Sequence, residues 1–179
     1  LYVMAAGFWR YFDVRAYLDY LQDIADLSLP RLRRQLLLLI EEFRLMELVS
    51  KQRPGTMKAF DVRRKTYVTT YRHQMRVHQQ KHFLADAVMN YLYIAAHEGT
   101  LKLPSAGYEE LLWQFQSIYD VCSTDDSITL TWRLMTIIEQ HVTRDLTQNF
   151  YALMDTVPET VQFVELKGAN CLVQGDTDT

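Results

Sequence analysis

The stretch Ser28-Leu29-Pro30-Arg31-Leu32-Arg33-Arg34-Gln35-Leu36-Leu37-Leu38-Leu39-Ile40-Glu41-Glu42-Phe43-Arg44 decides how this chain is read. Ser28 offers a hydroxyl cap and Pro30 falls in the first turn, so the spacing predicts a helix from Pro30 to about Arg44. Its first turn carries Arg31, Arg33 and Arg34. Arginine is poorly matched to the positive end of a helix macrodipole, which favours an acidic or phosphate partner beside it. From Leu36 onward the helix is apolar nearly all round, and such helices are buried on several sides. Two readings follow. In one, the cationic start faces an outside partner while a second layer covers the apolar half. In the other, this is the central helix of an all-α bundle.

Upstream, Trp9, Phe12, Tyr17, Leu21 and Ile24 recur at mostly helical spacing, and Asp13 is placed to cap a helix that starts at Val14. Downstream, Met46-Glu47-Leu48-Val49-Ser50-Lys51 runs into Arg53-Pro54-Gly55, a turn signal. Thr66-Tyr67-Val68-Thr69-Thr70-Tyr71 is β-branched and aromatic. Together they predict a small hairpin or strand pair over 46–71. The rival reading extends the next helix back to about residue 61. A helix is expected from Met75 to His97 with Gly99 as its C-cap, another after Pro104-Ser105, a loop at 123–126, and a long helix over 128–154. Residues 161–174 read as a short terminal hairpin and 175–179 as a disordered tail.

The stretch from Leu21 through Ile24-Ala25, the turn Leu27-Ser28-Leu29 and the arginine-rich helix resembles a winged helix-turn-helix domain. So does Leu39-Ile40-Glu41-Glu42-Phe43-Arg44-Leu45 passing into the Pro54-Gly55 turn. The likeness covers residues 13–62, and it lacks the glycines usual in the turn and near the end of the recognition helix. It implies a mainly α chain with a winged-helix-like basic domain over 1–74, including a small β-hairpin. An acidic helical dimerisation or partner domain over 75–174 would follow, with the tail beyond.

It also implies a non-enzymatic DNA-binding protein, such as a transcriptional regulator or a subunit of a DNA-associated complex. Arg31, Arg33, Arg34 and Gln35 would face base edges in the major groove, where arginine and glutamine suit guanine and adenine. Lys51, Arg53 and Lys58 would reach backbone phosphates, which position without specifying. Arg63, Arg64, Lys65, Arg72 and Arg76 would extend that surface. The alternative is an all-α interaction or adaptor subunit with no DNA role, its basic half docking on an acidic protein surface.

Composition frames both readings. The 179 residues are 49% hydrophobic and 23% charged, which excludes disordered and collagen-like chains. The net charge of −3 hides a split. Residues 1–81 hold 15 Lys and Arg against 8 Asp and Glu, whereas 82–179 hold 4 against 14. Such asymmetry points to a basic contact surface joined to an acidic half. No stretch reaches the ~18 apolar residues of a membrane span, and no signal-peptide pattern opens the chain, so a cytoplasmic location is the default expectation. The absence of an initiator Met is that of a fragment or processed product. Cys122 and Cys171 read as ordinary thiols, with one disulfide as the alternative.

His78-x3-His82-x3-Asp86 would stack two imidazoles and a carboxylate along one helical face, which is ligand spacing for zinc. The rival reading is a solvated polar stripe, and no cofactor is expected. The phosphate-loop, dinucleotide, nucleophile-elbow and HExxH motifs are missing, so nothing in the sequence points to an enzyme.

Overall fold

In a computed structural model, residues 7–98 and 109–145 are described. Among them every regular element is a helix. Two shorter helices, α1 (Trp9–Tyr11) and α2 (Val14–Ile24), lead into the long α3 (Pro30–Gln52). After a 3-10 turn at Pro54–Thr56 come α4 (Met57–Gln80) and α5 (Leu84–Glu98). Then α6 (Glu109–Phe115), a 3-10 segment at Gln116–Asp120 and α7 (Thr124–Ile138) complete the set. The expected wing is absent. Residues 46–52 continue α3, and 57–80 form one helix. The winged-helix fold with its β-hairpin is therefore replaced by an all-helical one.

The physical reason lies in tertiary contacts that outweigh local β propensity. Thr66, Thr69 and Thr70 turn their hydroxyls back to the carbonyls of Val62, Lys65 and Thr66, satisfying them within the helix. Tyr67 and Tyr71 pack on Tyr93 of α5, with ring centroids 6.2 and 4.7 Å away. Pro54-Gly55 turns a corner between two helices rather than between two strands.

α3 is the axle. Leu32, Leu36, Leu37, Leu38, Leu39 and Ile40 are all buried, so the apolar ring is covered on every side. α7 runs antiparallel along it, α5 packs on another side, and α2 lies across α3 and α7. α4 and α5 form an antiparallel hairpin, the most extensive helix pair among the described residues. The second reading of the leucine run, a central helix in a bundle, matches this arrangement.

Two helix starts follow the rule of local capping. Asp13 accepts from the N–H groups of Arg15 and Ala16. Ser123 and Asp126 close a capping box on α7. Ser28 departs from expectation. Leu29 sits at the α3 N-cap with φ 55°, and the Ser28 hydroxyl donates instead to Glu139. A remote carboxylate substitutes for the missing cap, because Asp145 accepts from the Arg31 N–H at 2.6 Å. This also explains why the predicted long helix over 128–154 stops at Ile138. Glu139 and Asp145 are drawn to the start of α3, and the chain over 141–145 leaves helical geometry to reach it. The rest of that predicted helix, the turn at Gly99, the helix start at Pro104, the terminal hairpin, the tail and Cys171 lie outside the described residues.

The predicted helix over Met75 to His97 is two helices. His82 takes φ 58°, and Phe83 N–H donates to His78 C=O while His82 N–H donates to Gln79 C=O. That is a Schellman C-cap with histidine where glycine usually sits. A left-handed conformation costs an L-residue about 1–2 kcal/mol. His82→Gly is therefore expected to stabilise the protein by about 0.5–1 kcal/mol, offset in part by unfolded-state entropy. Urea unfolding checks this, and a loss of stability would mean that the histidine ring contributes more than the strain removes.

Candidate functional site

The residues expected to read DNA are divided by α3 into inner and outer sets. Arg33 is only 5% exposed. Its Nη2 pairs with Glu139, its Nε donates to Ser28 C=O at 2.8 Å, and its guanidinium lies 5.0 Å from the Trp132 ring centroid. Gln35 is buried as well. Arg34 is half-buried and donates to the Tyr17 hydroxyl. Only the Arg31 side chain is exposed, and its own backbone N–H is held by Asp145. The acidic partner implied by arginine at a helix N-terminus is supplied by the same chain. Arg33 and Gln35 consequently have no path to a base edge.

Further along α3 a closed polar knot sits in the core. Glu41 and Arg44 pair through two bonds, at 2.7 and 3.0 Å. Arg44 also donates to the carbonyls of Tyr11 and Cys122 and to the Thr124 hydroxyl. Ser127 donates to Glu41, and Asp13 N–H donates to Thr124 Oγ1. α1, α2 and the start of α7 are thereby fixed to one point of α3. Cys122 itself is an exposed free thiol.

A second buried carboxylate, Glu42, meets Arg63 of α4. Its other oxygen has no hydrogen-bond partner among the described residues. Burial pushes the Glu42 carboxyl above the usual range, and Arg63 opposes that rise. Burial alone would lower Arg63, but Glu42 outweighs it and the guanidinium is held more firmly charged. Arg63 also lies 5.0 Å from the centroid of the Tyr67 ring. The pair is a clasp between α3 and α4 rather than an acid–base device, since Arg63 and aromatic rings surround the carboxyl.

Beside the clasp an open groove of about 660 Å³ runs between α3, the start of α4 and the end of α5. Phe43, Met46, Phe60 and His97 line it, together with Lys51 and Arg64. Burial, with Arg64 and Arg63 nearby, pushes the His97 imidazole down to about 4, so it is neutral near pH 7. Arg64 is paired with Asp61 at 3.0 Å.

The outer face of α4 is different in character. Lys58, Val62, Lys65, Thr69, Arg72 and Arg76 are all exposed and follow one another at alternating four- and three-residue steps. They form a single stripe about 27 Å long. Arg72 pairs with Glu98, whereas Lys58, Lys65 and Arg76 make no ion pair among the described residues. Lys51 and Arg53 are exposed at the adjoining corner. Val62, 67% exposed, gives the stripe an apolar contact. The basic count of the N-terminal half signalled this face. Its position on α4 was hidden by the strand reading.

The proposed metal triad does not assemble. His82 lies in the left-handed turn, which breaks the continuous helix that the spacing needs. Asp86 is buried, and His78 Nδ1 faces Asn90 Nδ2 at 2.9 Å. No group of three metal-ligating side chains occurs among the described residues. No helix there is long and apolar enough to cross a membrane.

No family model and no solved structure matches the chain. Among curated proteins it is similar to an uncharacterized protein, YojO, of Bacillus subtilis (strain 168), at 24% identity over 162 residues. The match covers 86% of this chain but 25% of that protein, so the chain spans about a quarter of the length of its relative.

Proposed function

We propose that this chain is a non-enzymatic, all-helical interaction module of a larger assembly, and that the outer stripe of α4 docks on an acidic protein surface. One observation carries this reading. Arg33 and Arg34 at the start of α3 are engaged inside the molecule, whereas Lys58, Lys65 and Arg76 stand exposed along α4 and make no ion pair among the described residues, Asp61 beside them being taken by Arg64. Aligned like charges repel mildly in the free protein and are relieved by an acidic partner. The likeness to one quarter of a longer protein supports a role as a module.

A second reading uses the same stripe to hold the phosphate backbone of duplex DNA. The exposed Val62 within it favours a protein, because phosphates offer an apolar side chain nothing.

Fluorescence anisotropy separates the two. The probes are a glutamate-rich helical peptide and a duplex of about two helical turns, each at about 50 and 200 mM salt. The peptide is expected to bind, and Lys65→Glu with Arg76→Glu to weaken it at least about tenfold. Reversing Arg31 should change little. Duplex binding that falls with salt and exceeds peptide binding would shift the assignment to DNA. Peptide affinity unchanged by the α4 reversals would remove this face from the function.

A further inference from the structure

The groove between α3, the start of α4 and the end of α5 keeps apolar surface open to water. Met46, Val49 and Phe60 form a small cluster of their own, apart from the main core, and Met46 and Phe60 floor the groove. Met57 and Tyr119 stand on its rim at 53% and 56% exposure. Large apolar side chains left open around a concavity mark a binding groove. Tyr119 is held in place there. Its hydroxyl donates to Ala96 C=O at 3.3 Å, and its ring meets Phe43 edge-on at 5.4 Å. That wall stands ready before any ligand arrives.

A second pocket, of about 490 Å³, opens from the same place. It shares Arg64, His97 and Glu98 with the groove and continues along α4 past Lys65, Thr69 and Arg72. Three cations face one carboxylate in it. Arg64 pairs with Asp61 and Arg72 with Glu98, each through Nη2. A guanidinium carries five N–H donors, so both arginines keep donors for a further acceptor. Lys65 makes no ion pair among the described residues. At the groove end Glu47 and Lys51, one turn apart on α3, offset each other. The positive field reaches the junction, where burial, helped by Arg64 and Arg63, holds the His97 imidazole neutral near pH 7.

We propose that the groove and the pocket form one site for a small anionic amphiphile, an alkyl or aryl phosphate monoester. The apolar chain lies on Met46, Met57 and Phe60, and the phosphate sits among Arg64, Lys65 and Arg72, with His97 between the two ends. A phosphate accepts from several donors at once, and three cations supply them. Volumes of about 660 and 490 Å³ suit such a ligand, since small-molecule sites span roughly 300–1,000 Å³. A purely apolar ligand would leave the cations unused, and a bare phosphate would leave the apolar floor wet. The site does not depend on α4 docking a protein, although Lys65 and Arg72 belong to both surfaces.

NMR titration of the histidine imidazoles tests this, with the His97 signal assigned by its loss in His97→Gln. Octyl phosphate is expected to bind and to raise the His97 midpoint by about one pH unit or more, because a nearby opposite charge favours the imidazolium. Octanol should cause no rise. Inorganic phosphate should bind at least about tenfold more weakly than its octyl ester, since it buries no alkyl surface. Ser50→Trp, which fills the groove from α3, should weaken octyl phosphate at least about tenfold. Lys65→Gln with Arg72→Gln should do the same from the other end. Circular dichroism checks that both variants fold, and the three probes on the wild-type chain decide alone if either does not. Octyl phosphate that fails to bind, or leaves His97 unmoved, overturns the inference, as does inorganic phosphate binding equally tightly. If the glutamate-rich peptide raises the His97 midpoint and octyl phosphate does not, this inference falls and the docking reading stands. If neither ligand binds, both fall.

Discussion

Glu41→Leu, made alone, is expected to destabilise the protein by about 3–5 kcal/mol. The substitution removes the bidentate partner of Arg44 and leaves a guanidinium charge in a site that is almost sealed from water. It also strips the carboxylate acceptor from the fully buried Ser127 hydroxyl, leaving it only the Ser123 carbonyl at 3.3 Å. For a chain of this size each kcal/mol moves Tm by about 2–4 °C, so the midpoint should fall by roughly 6–20 °C. The double variant Glu41→Leu with Arg44→Met should recover only part of the loss. Removing both charges relieves the unpaired ion, but the carbonyl of Tyr11 loses its donor. Guanidinium unfolding of the two variants measures both quantities. A single-variant cost under about 1 kcal/mol would mean that water reaches Arg44, and that the knot is not what joins α1, α2 and α7 to α3.

Leu37→Ala is expected to cost about 2–5 kcal/mol, as much as Leu36→Ala. The comparison is informative because the two readings of the leucine run disagree about it. A recognition helix buries one side, so adjacent leucines a third of a turn apart would differ sharply under truncation. In the bundle both are completely buried and both leave a cavity. The loss combines the transfer free energy of the removed carbons with the cavity that the packed neighbours fail to fill. Thermal and chemical unfolding of the matched pair decide the matter. A Leu37→Ala variant as stable as the parent would reopen one flank of α3 to solvent.

Much of the architecture is readable along the chain, where local chemistry and global packing agree. Asp13 and Pro30 mark helix starts because their own side chain or ring satisfies the need, whereas Ser123 to Asp126, expected as a loop, hold the capping box and first turn of α7. The all-round apolarity from Leu36 to Ile40 states that α3 must be covered, although it does not say by what. The wing was misread because Thr66, Val68 and Thr70 favour extended backbone intrinsically, and nothing local reveals the tyrosine contacts to α5 that hold them helical. The break at His82 carries no glycine, so its left-handed residue is invisible to pattern. The arginines at the start of α3 announced an acidic partner. That the partner was Glu139, 106 residues away, is information that only the folded chain contains. For the candidate site, the excess of basic residues was visible, but assigning it to α4 required knowing which cations the interior consumes.

The carboxylates that close the start of α3 have a consequence for the order of assembly. Arg31 is joined to Asp145 across 114 residues, and Ser28 to Glu139 across 111. The α4–α5 hairpin, by contrast, closes through partners such as His78 and Asn90, only 12 residues apart. Loop-closure entropy makes the short-range hairpin the quicker structure and the long-range lock the slower one. The hairpin residues precede the segment bearing Glu139 and Asp145 in the chain, so an interval of synthesis separates the two. For that interval the beginning of α3 is an uncovered cationic end, and the chain reaches its finished charge pattern only when that segment emerges.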